Sequence, residues 1–179
     1  MIYNKSIEGK YVYLKSVLEK DAEITLKMRL DVSKTKFLHP VENNLQKQQE
    51  WIRKQNQRED DYFFLAYNRK NEPIGTIGVS EIKDNIGHLG RLLSYGNVFE
   101  SFELYYLSLT FCFDTLKLKE IWGDTDPENL SAINFTKKFG VIYEEPVKDP
   151  DMDRMVCYFN LNKETVEKSG IRKLIYRER

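Results

Sequence analysis

The chain has 179 residues, a length that suits one domain with a buried core. Its 28 Lys and Arg residues balance its 28 Asp and Glu residues, which argues against a protein drawn by net charge to nucleic acid or to an anionic membrane surface. No segment approaches the roughly twenty apolar residues needed to cross a bilayer. We therefore expect a single domain over residues 1–179, with no nucleic-acid partner and no membrane partner.

The cysteines and the N-terminus indicate the compartment. Cys112 and Cys157 lie in apolar runs, far apart and without the spacing of a metal site or a redox pair. The first residues have no apolar core behind a basic head, unlike a secretory signal. We expect reduced core cysteines, no metal, and a cytoplasmic protein.

The first third of the chain predicts a strand followed by helices. Residues 11–17 alternate as in a strand, and a helix can begin within 18–21 because apolar residues then recur every four positions. A mostly polar surface helix is predicted over 45–57. Between the helices lies a loop in which His39 precedes a proline and is therefore extended.

A change of period then predicts three strands and a buried helix. Residues 62–67, 74–82 and 87–94 read as strands separated by turns, which favours an antiparallel meander. Residues 102–113 are apolar nearly all round, which is typical of a helix buried on most faces.

The last part combines a strand, a short helix and two more strands. The strand is predicted over 120–125 and the final pair over 141–146 and 154–161, joined by the acidic turn 148–153. Residues 163–179 form a charged peripheral tail, either a helix or a frayed end.

The short helix is the most informative segment. Asp126 and Pro127 are residues typical of a helix start, and Gly140 is typical of a helix stop. The complete order predicts an α/β (mixed α+β) fold over a core of about 11–161. We expect a mixed, mostly antiparallel central sheet of about six to seven strands with helices on both faces.

Three local motifs support a family resemblance. They are residues 13–22, residues 73–78, and the run Asn129-Leu130-Ser131-Ala132-Ile133 that ends in Lys138-Phe139-Gly140. With the element order, they resemble the GNAT superfamily of acyl-CoA-dependent N-acyltransferases, and within it the ribosomal-protein N-terminal and amino-sugar acetyltransferases. The resemblance implies acetyl-CoA as co-substrate, bound where two central strands splay apart.

The resemblance also implies which residues contact the cofactor. A strand edge would bind the pantetheine, a loop and helix start the pyrophosphate, and the short helix the rest of the cofactor. The residues at these places are Leu92, Leu93, Ser94, Val98, Phe99, Glu100, Ser101, Asn129, Asn134 and Lys137. Two of them have ordinary alternatives, because Asn129 can be a helix cap and Lys137 a solvated surface residue.

The pyrophosphate loop departs from the family pattern. Phe99 and Glu100 stand where glycines commonly let the backbone approach the phosphates. A carboxylate there would repel a pyrophosphate by an amount on the order of one kcal/mol in a wet site. We expect weaker or differently posed CoA binding.

Three residues are candidates for the general base that deprotonates the amine. His88 stands where relatives often carry Glu, and an imidazole titrates near neutrality. Glu81 and His39 are the other two candidates, the first through a bridging water. For His88 and Glu81 the alternative is an ordinary strand residue satisfied by a neighbour or by solvent. Where many relatives carry a Tyr that protonates the leaving thiolate, this chain has Thr136.

The resemblance therefore implies an N-acetyltransferase that acts on a primary amine. The acceptor would be a small molecule such as an amino-sugar nucleotide, or a protein or peptide N-terminus. The alternative is a non-catalytic module of the same fold that binds acyl-CoA or a protein through the altered loop. The protein would be a monomer or a homodimer.

Overall fold

The computed structural model describes residues 1–149 and 154–177. Its central feature is an eight-stranded sheet in the order β1-β2-β3-β4-β5-β6-β8-β7. The strands are β1 (Ile7–Glu8), β2 (Val12–Ser16), β3 (Tyr62–Asn68), β4 (Pro73–Lys83), β5 (Ile86–Ser94), β6 (Glu120–Thr125), β7 (Val147–Lys148) and β8 (Met155–Leu161). Neighbouring strands are antiparallel except β5 and β6, which run parallel. The predicted mixed, mostly antiparallel sheet is confirmed, with one or two more strands than expected.

Helices cover both faces of this sheet, as the sequence predicts. They are α1 (Ala22–Leu30), α2 (Val32–Thr35), α3 (Leu45–Gln57), α4 (Val98–Thr110), α5 (Leu130–Lys137), α6 (Lys163–Lys168) and α7 (Ile171–Tyr176). A 3-10 turn over Glu19–Asp21 precedes α1, and a π-helical turn over Phe111–Thr115 continues α4.

Alternate residues of β3 show how the two faces are filled. Phe64 packs in a large core cluster with Leu104 of α4 and Ile175 of α7. Its neighbour Phe63 packs in a smaller cluster with Ile52 of α3. Successive strand residues point to opposite faces, so α4 and α7 cover one face and α3 covers the other.

The C-terminal tail contributes to the core. Val166 of α6 and Ile171 and Ile175 of α7 are buried in the large cluster. Of the two alternatives for this tail, the helix is observed, as α6 and α7. These helices are less peripheral than expected, because their apolar residues pack into the large core cluster.

Two local predictions are wrong. Residues 141–146 are not a strand. In the described structure β8 pairs with β6 on one side and with the two-residue β7 on the other, and the Glu144 N–H donates one backbone hydrogen bond of 2.8 Å to the Tyr158 carbonyl. Pro146 lacks the N–H that a ladder needs. The α5 helix begins at Leu130 with Asn129 as its N-cap, while Asp126 accepts from the Glu128 N–H in the preceding turn. The predicted acidic turn lies partly outside the described residues.

None of the helices in the two described ranges has the length and apolar character needed to span a bilayer.

Candidate active site

The parallel strands β5 and β6 separate soon after they meet. They pair over Ile86–His88 and Glu120–Trp122 and no further in the described structure. A β-bulge at Arg91, whose φ is 56°, places two residues of β5 opposite the single residue Ile77 of β4. Bulges bend a strand and increase its twist, which here turns the end of β5 away from β6. The splayed central pair is thereby explained by a specific feature of β5.

His88 stands at the point of separation. Its ring stacks on Trp122, its register partner on β6, with centroids 4.1 Å apart. Its Nε2 lies 3.0 Å from Oδ1 of Asp124, two residues further along β6. Gly90 gives the ring space, since a Cβ at that position would lie 3.1 Å from the imidazole Cε1. The sequence predicted His88 as a candidate base without indicating these partners.

Asp124 holds His88 in one orientation and is itself held by an arginine. Arg154 Nη2 lies 3.4 Å from the second Asp124 oxygen and Nη1 donates to the Phe37 carbonyl at 2.9 Å. The hydrogen bond from His88, and then the charges of His88 and Arg154, lower the pKa of Asp124 against the opposing effect of burial. An ionised Asp124 accepts from Nε2–H, so the neutral imidazole presents a lone pair at Nδ1.

Glu81 faces that free nitrogen. It occupies a bulge in β4 with a φ of 55°, and its Oε1 lies 4.0 Å from Nδ1 of His88. The bulge re-aims the side chain, because two residues of β4 oppose Gly87 of β5. The separation exceeds a hydrogen bond, so Glu81 acts on this nitrogen through its charge or through a group between them.

His39 belongs to the same cleft by way of a loop. Its carbonyl accepts a hydrogen bond of 2.6 Å from Arg29 of α1. The three candidate bases line one cavity of about 410 Å³, together with Trp122 and Asp124. Folding therefore brings together three side chains that the sequence left separate.

The start of α4 is occupied by its own side chains. Asn97 Oδ1 accepts from the backbone N–H groups of Phe99 and Glu100, and the Glu100 carboxylate accepts from the Asn97 N–H at 2.8 Å. A Cβ on Gly96 would lie 2.8 Å from Cβ of Glu100, so this turn is compact. Val98 to Ser101 form the first turn of a helix and not a loop. The N–H groups expected to meet a pyrophosphate are largely engaged within the chain.

Phe99 and Ser101 point to neighbours within the protein. The Phe99 ring lies 5.8 Å from the Tyr11 ring and beneath the Arg177 guanidinium at 5.0 Å. The Ser101 hydroxyl lies 2.7 Å from the hydroxyl of Ser94 at the end of β5. At the same strand end, Leu92 packs on the large core cluster and Leu93 is buried in the smaller one, so what they can offer a ligand is backbone.

The α5 residues differ in their relation to the cleft. Asn129 caps the helix by accepting from the Ala132 N–H at 3.2 Å, and it also lines the cavity that contains His88. Asn134 and Lys137 are exposed and are not among the residues lining that cavity. Their contact with a cofactor stays a prediction.

Thr136 has an unexpected hydroxyl partner. Its Oγ1 lies 2.8 Å from the Tyr143 phenol oxygen and also donates to the Ala132 carbonyl. Burial raises the pKa of the Tyr143 phenol, which therefore stays protonated at neutral pH. Sequence reasoning treated residue 143 as part of a strand and did not foresee this pair.

Several residues of the cleft were missed by sequence reasoning. Asp124 falls within the strand predicted over 120–125 and was not predicted as the partner of His88, and Arg29 and Arg154 were not singled out. The usable signal was the spacing of Trp122 and Asp124, since residues two apart on a strand share a face. Among the described residues no group of three or more His, Cys, Asp or Glu side chains is placed to hold a metal ion.

The chain matches one family model and resembles several solved structures. Residues 12–142 match a family model described as an acetyltransferase (GNAT) domain. No curated protein matches the chain. Among solved structures, an apo nucleotide-linked sugar GNAT, FdhC, is 20% identical, with 97% of this chain and 99% of that chain covered and a TM-score of 0.81.

Two further structures are similar. A GCN5-related N-acetyltransferase from Brucella melitensis is 15% identical, with 98% of this chain and 85% of that chain covered and a TM-score of 0.77. The spermidine N-acetyltransferase from Vibrio cholerae in complex with CoA and spermine is 15% identical, with 87% and 98% covered and a TM-score of 0.77. At these identities the solved structures establish a shared fold, while the family model covers most of the chain.

Proposed function

Because the chain belongs to the GNAT acetyltransferase family and is an acyltransferase, we propose that it transfers the acetyl group of acetyl-CoA to a primary amine, with His88 as general base. The observation that carries the proposal is the hydrogen bond of 3.0 Å between His88 and Asp124 at the point where β5 and β6 separate. It leaves a basic nitrogen facing a cavity of about 410 Å³.

His88 would supply the proton transfer that amine acylation requires. An ammonium has no lone pair, so the amine must lose a proton before or during attack on the acyl carbon. The free Nδ1 can take that proton, and the ionised Asp124 stabilises the resulting imidazolium. Glu81, whose Oε1 is 4.0 Å from Nδ1, places a negative charge where an incoming ammonium is attracted.

Other groups of the cleft would hold this arrangement in place. Arg154 links Asp124 to the Phe37 carbonyl and thereby ties β6 to the loop that carries His39. Trp122 packs flat against the imidazole and limits its rotation. These contacts fix the orientation of the base before a substrate arrives, which lowers the cost of reaching the reactive geometry.

The backbone at the end of β5 is suited to bind acetyl-CoA, whereas the Glu100 carboxylate at the start of α4 would repel its pyrophosphate. Acetyl-CoA supplies a thioester as the acyl donor. Leu92 to Ser94 offer backbone groups on the side of β5 that β6 leaves unpaired in the described structure. Glu100 places a carboxylate at the start of α4, where a pyrophosphate would bind. We propose that Asn129 contributes a further contact, since it lines the cleft.

The acceptor we propose is an amino-sugar nucleotide or a protein or peptide N-terminus. The similarity to a nucleotide-linked sugar GNAT supports the first of these. The aromatic side chains of Phe37, Trp122 and Tyr158 in the cavity wall support a flat or cyclic acceptor.

A turnover assay tests the function directly. Release of free CoA thiol is followed over a panel of amino sugars, amino-sugar nucleotides, peptides and polyamines. We expect release with at least one amine and its loss in His88→Gln. If no amine is acetylated while the protein binds acetyl-CoA in calorimetry, the non-catalytic alternative suggested by Phe99 and Glu100 takes the place of this proposal.

A further inference from the structure

We propose that the acceptor carries an anionic group, a carboxylate or a phosphate, which pairs with the guanidinium of Arg29 in the cleft that contains His88. The inference rests on the proposed function, because it specifies the acceptor of the same site. It is carried by the positive charge of Arg29, for which residues 1–149 and 154–177 provide no ion-pair partner.

Among the residues that the structure describes, Arg29 has no carboxylate partner. Its Nη2 donates to the His39 carbonyl at 2.6 Å, which satisfies one donor but not the charge. Within residues 1–149 and 154–177 no Asp or Glu forms an ion pair with it. Burial and, secondly, the positive charge of Arg91 lower the pKa of Arg29. A half-buried guanidinium without an anionic partner loses hydration free energy and so destabilises the ligand-free protein. An anion that reaches it regains part of that free energy by forming an ion pair.

Arg91, a near neighbour, shows what a compensated arginine looks like here. It makes two hydrogen bonds of 2.7 Å to the carboxylate of Asp61, whose side chain is only 2% exposed. Its guanidinium also lies 5.4 Å from the Trp51 ring and 5.5 Å from the Phe63 ring. Arg154 pairs with Asp124. Of the arginines that line the cleft within the described residues, Arg29 alone is left to a ligand.

Arg29 lies in the same cleft as the proposed base His88. Arg29 lines the cavity of His88 and also a second cavity of about 300 Å³, whose wall includes Trp51 and Phe63. Glu81 and Asp124 line the first cavity and are not among the residues of the second. The cleft therefore has an acidic region around the base and a basic, aromatic region around Arg29.

This polarity selects a class of acceptor. An amine whose anionic group lies several bonds away matches both regions at once, because the ammonium meets carboxylates and the anion meets Arg29. A polyamine would place a second positive charge near Arg29 and be repelled. Carboxylates and phosphates share the required oxygen geometry, and Arg binds either through its fork.

The experiment compares matched amines with wild type and Arg29→Gln. One pair is glucosamine 6-phosphate and glucosamine, and the other is 6-aminohexanoate and 6-aminohexanamide; spermidine is a cationic probe. Binding is measured by calorimetry and kcat/KM by thiol release. Arg53→Gln is the control, because Arg53 forms an exposed ion pair with Glu19 outside the cleft. Arg29→Lys keeps the charge and serves if Arg29→Gln unfolds early in thermal melts.

We expect wild type and Arg53→Gln to favour the anionic member of one pair, and Arg29→Gln to lose roughly 10- to 100-fold of that preference, taken as the ratio of the values for the two members within each variant. Arg29→Lys should keep most of the preference. The pair that discriminates identifies carboxylate or phosphate. Equal affinity for both members in wild type, or an unchanged preference in Arg29→Gln, would overturn the inference.

The two proposals fail separately. Turnover without a preference that depends on Arg29 removes this inference and leaves the acetyltransferase proposal in place. Preferential binding that depends on Arg29, with no turnover of any amine, supports the anion site and removes the proposed reaction.

Discussion

His88 and Asp124 hydrogen-bond through Nε2 and Oδ1 at 3.0 Å, although 36 residues separate them in the chain. The contact exists because β5 and β6 are parallel and in register at His88 and Trp122, and because they diverge directly afterwards. It assigns the two imidazole nitrogens different roles, one anchored and one free to accept a proton.

The first prediction concerns the free nitrogen. Replacing His88 by Gln should reduce kcat for amine acetylation by roughly 10²- to 10⁴-fold, because the proton acceptor is lost while the cleft is retained. The KM for acetyl-CoA should change little. Initial rates with saturating acetyl-CoA, measured from pH 6 to 9, provide the test.

His39→Gln is the matched control for this substitution, since both histidines line the same cavity. It should leave kcat within a few-fold of wild type. A larger loss in His39→Gln than in His88→Gln would show that the base had been assigned to the wrong residue.

The second prediction concerns the anchor. Asp124→Asn should lower kcat by roughly 100-fold or more, because an amide can favour the other imidazole tautomer and cannot stabilise an imidazolium. It should also lower the free energy of unfolding at pH 7 by about 1–3 kcal/mol, since a charge-assisted hydrogen bond in a partly buried site is lost.

The pH dependence of that stability follows from the pKa of Asp124. The folded-state pKa is lowered, chiefly by the His88 hydrogen bond, below the unfolded-state value of about 3.9. The stabilisation is therefore complete above that value and is lost as pH falls through the folded-state pKa. Urea unfolding at pH 7 and pH 3 measures the difference in the free energy of unfolding between wild type and Asp124→Asn. This difference should be smaller at pH 3 than at pH 7; an equal difference at the two pH values would contradict the role given to the Asp124 carboxylate.

The third prediction concerns the start of α4. Glu100→Gln should tighten CoA binding by roughly fivefold, because it removes a negative charge worth about 1 kcal/mol near the expected pyrophosphate. Gln can still accept from the Asn97 N–H, so the helix cap is retained. Titration calorimetry with CoA gives the dissociation constants.

Glu23→Gln is the control for Glu100→Gln, because Glu23 is exposed in the first turn of α1 and lies outside the cleft. It should leave the affinity for CoA unchanged. Equal affinities in wild type and Glu100→Gln would place the phosphates away from the start of α4.

The fourth prediction concerns a buried carboxylate with a structural role. Glu103 of α4 is fully buried and accepts from the backbone N–H groups of Lys10 at 2.7 Å, Tyr11 at 2.5 Å and Val12 at 2.8 Å. Glu103→Gln should lower the free energy of unfolding by about 1–3 kcal/mol, because an amide offers one oxygen where a carboxylate offers two. Urea denaturation measures the change.

Gly9→Ala gives an independent test of the Glu103 clamp, the set of hydrogen bonds that the Glu103 carboxylate accepts from the backbone of residues 10–12. A Cβ at Gly9 would lie 2.5 Å from the Glu103 carboxyl carbon, so this substitution should also destabilise the fold. Glu167 is exposed, so Glu167→Gln should change the free energy of unfolding by no more than about 0.5 kcal/mol. Loss of stability in Glu167→Gln as large as in Glu103→Gln would remove the special role assigned to the clamp.

The elements that the sequence predicted well are those specified by local pattern. Alternation and turn residues located the meander of β3, β4 and β5, and continuous apolar character located the buried part of α4. Gly140 adopts the left-handed conformation expected after α5, with a φ of 89°. Side-chain period, capping and glycine conformation act within a few residues, so they can be read without the fold.

The sequence-based predictions failed in short segments whose residues are compatible with more than one structure. Val141, Ile142 and Tyr143 are apolar residues that favour a strand, yet the segment 141–146 stays out of the sheet. It makes one backbone hydrogen bond to β8, from Glu144, and it ends at Pro146, which has no N–H to donate. The charged tail conceals the apolar side of α6 and α7, which only a partner surface could reveal. The first turn of α4 was taken for a loop because its cap depends on the reciprocal contact of Asn97 and Glu100.

By itself, the sequence determined the order of the main strands and helices from β2 to α5, the family resemblance and His88 as one of three candidate bases. Only the tertiary structure decided that Asp124 holds His88, that Glu81 faces its free nitrogen, and that Arg29 is left without a carboxylate among the described residues. The reason is physical: these contacts depend on strand register, on bulges at Arg91 and Glu81, and on packing between distant segments, none of which leaves a periodic signal along the chain.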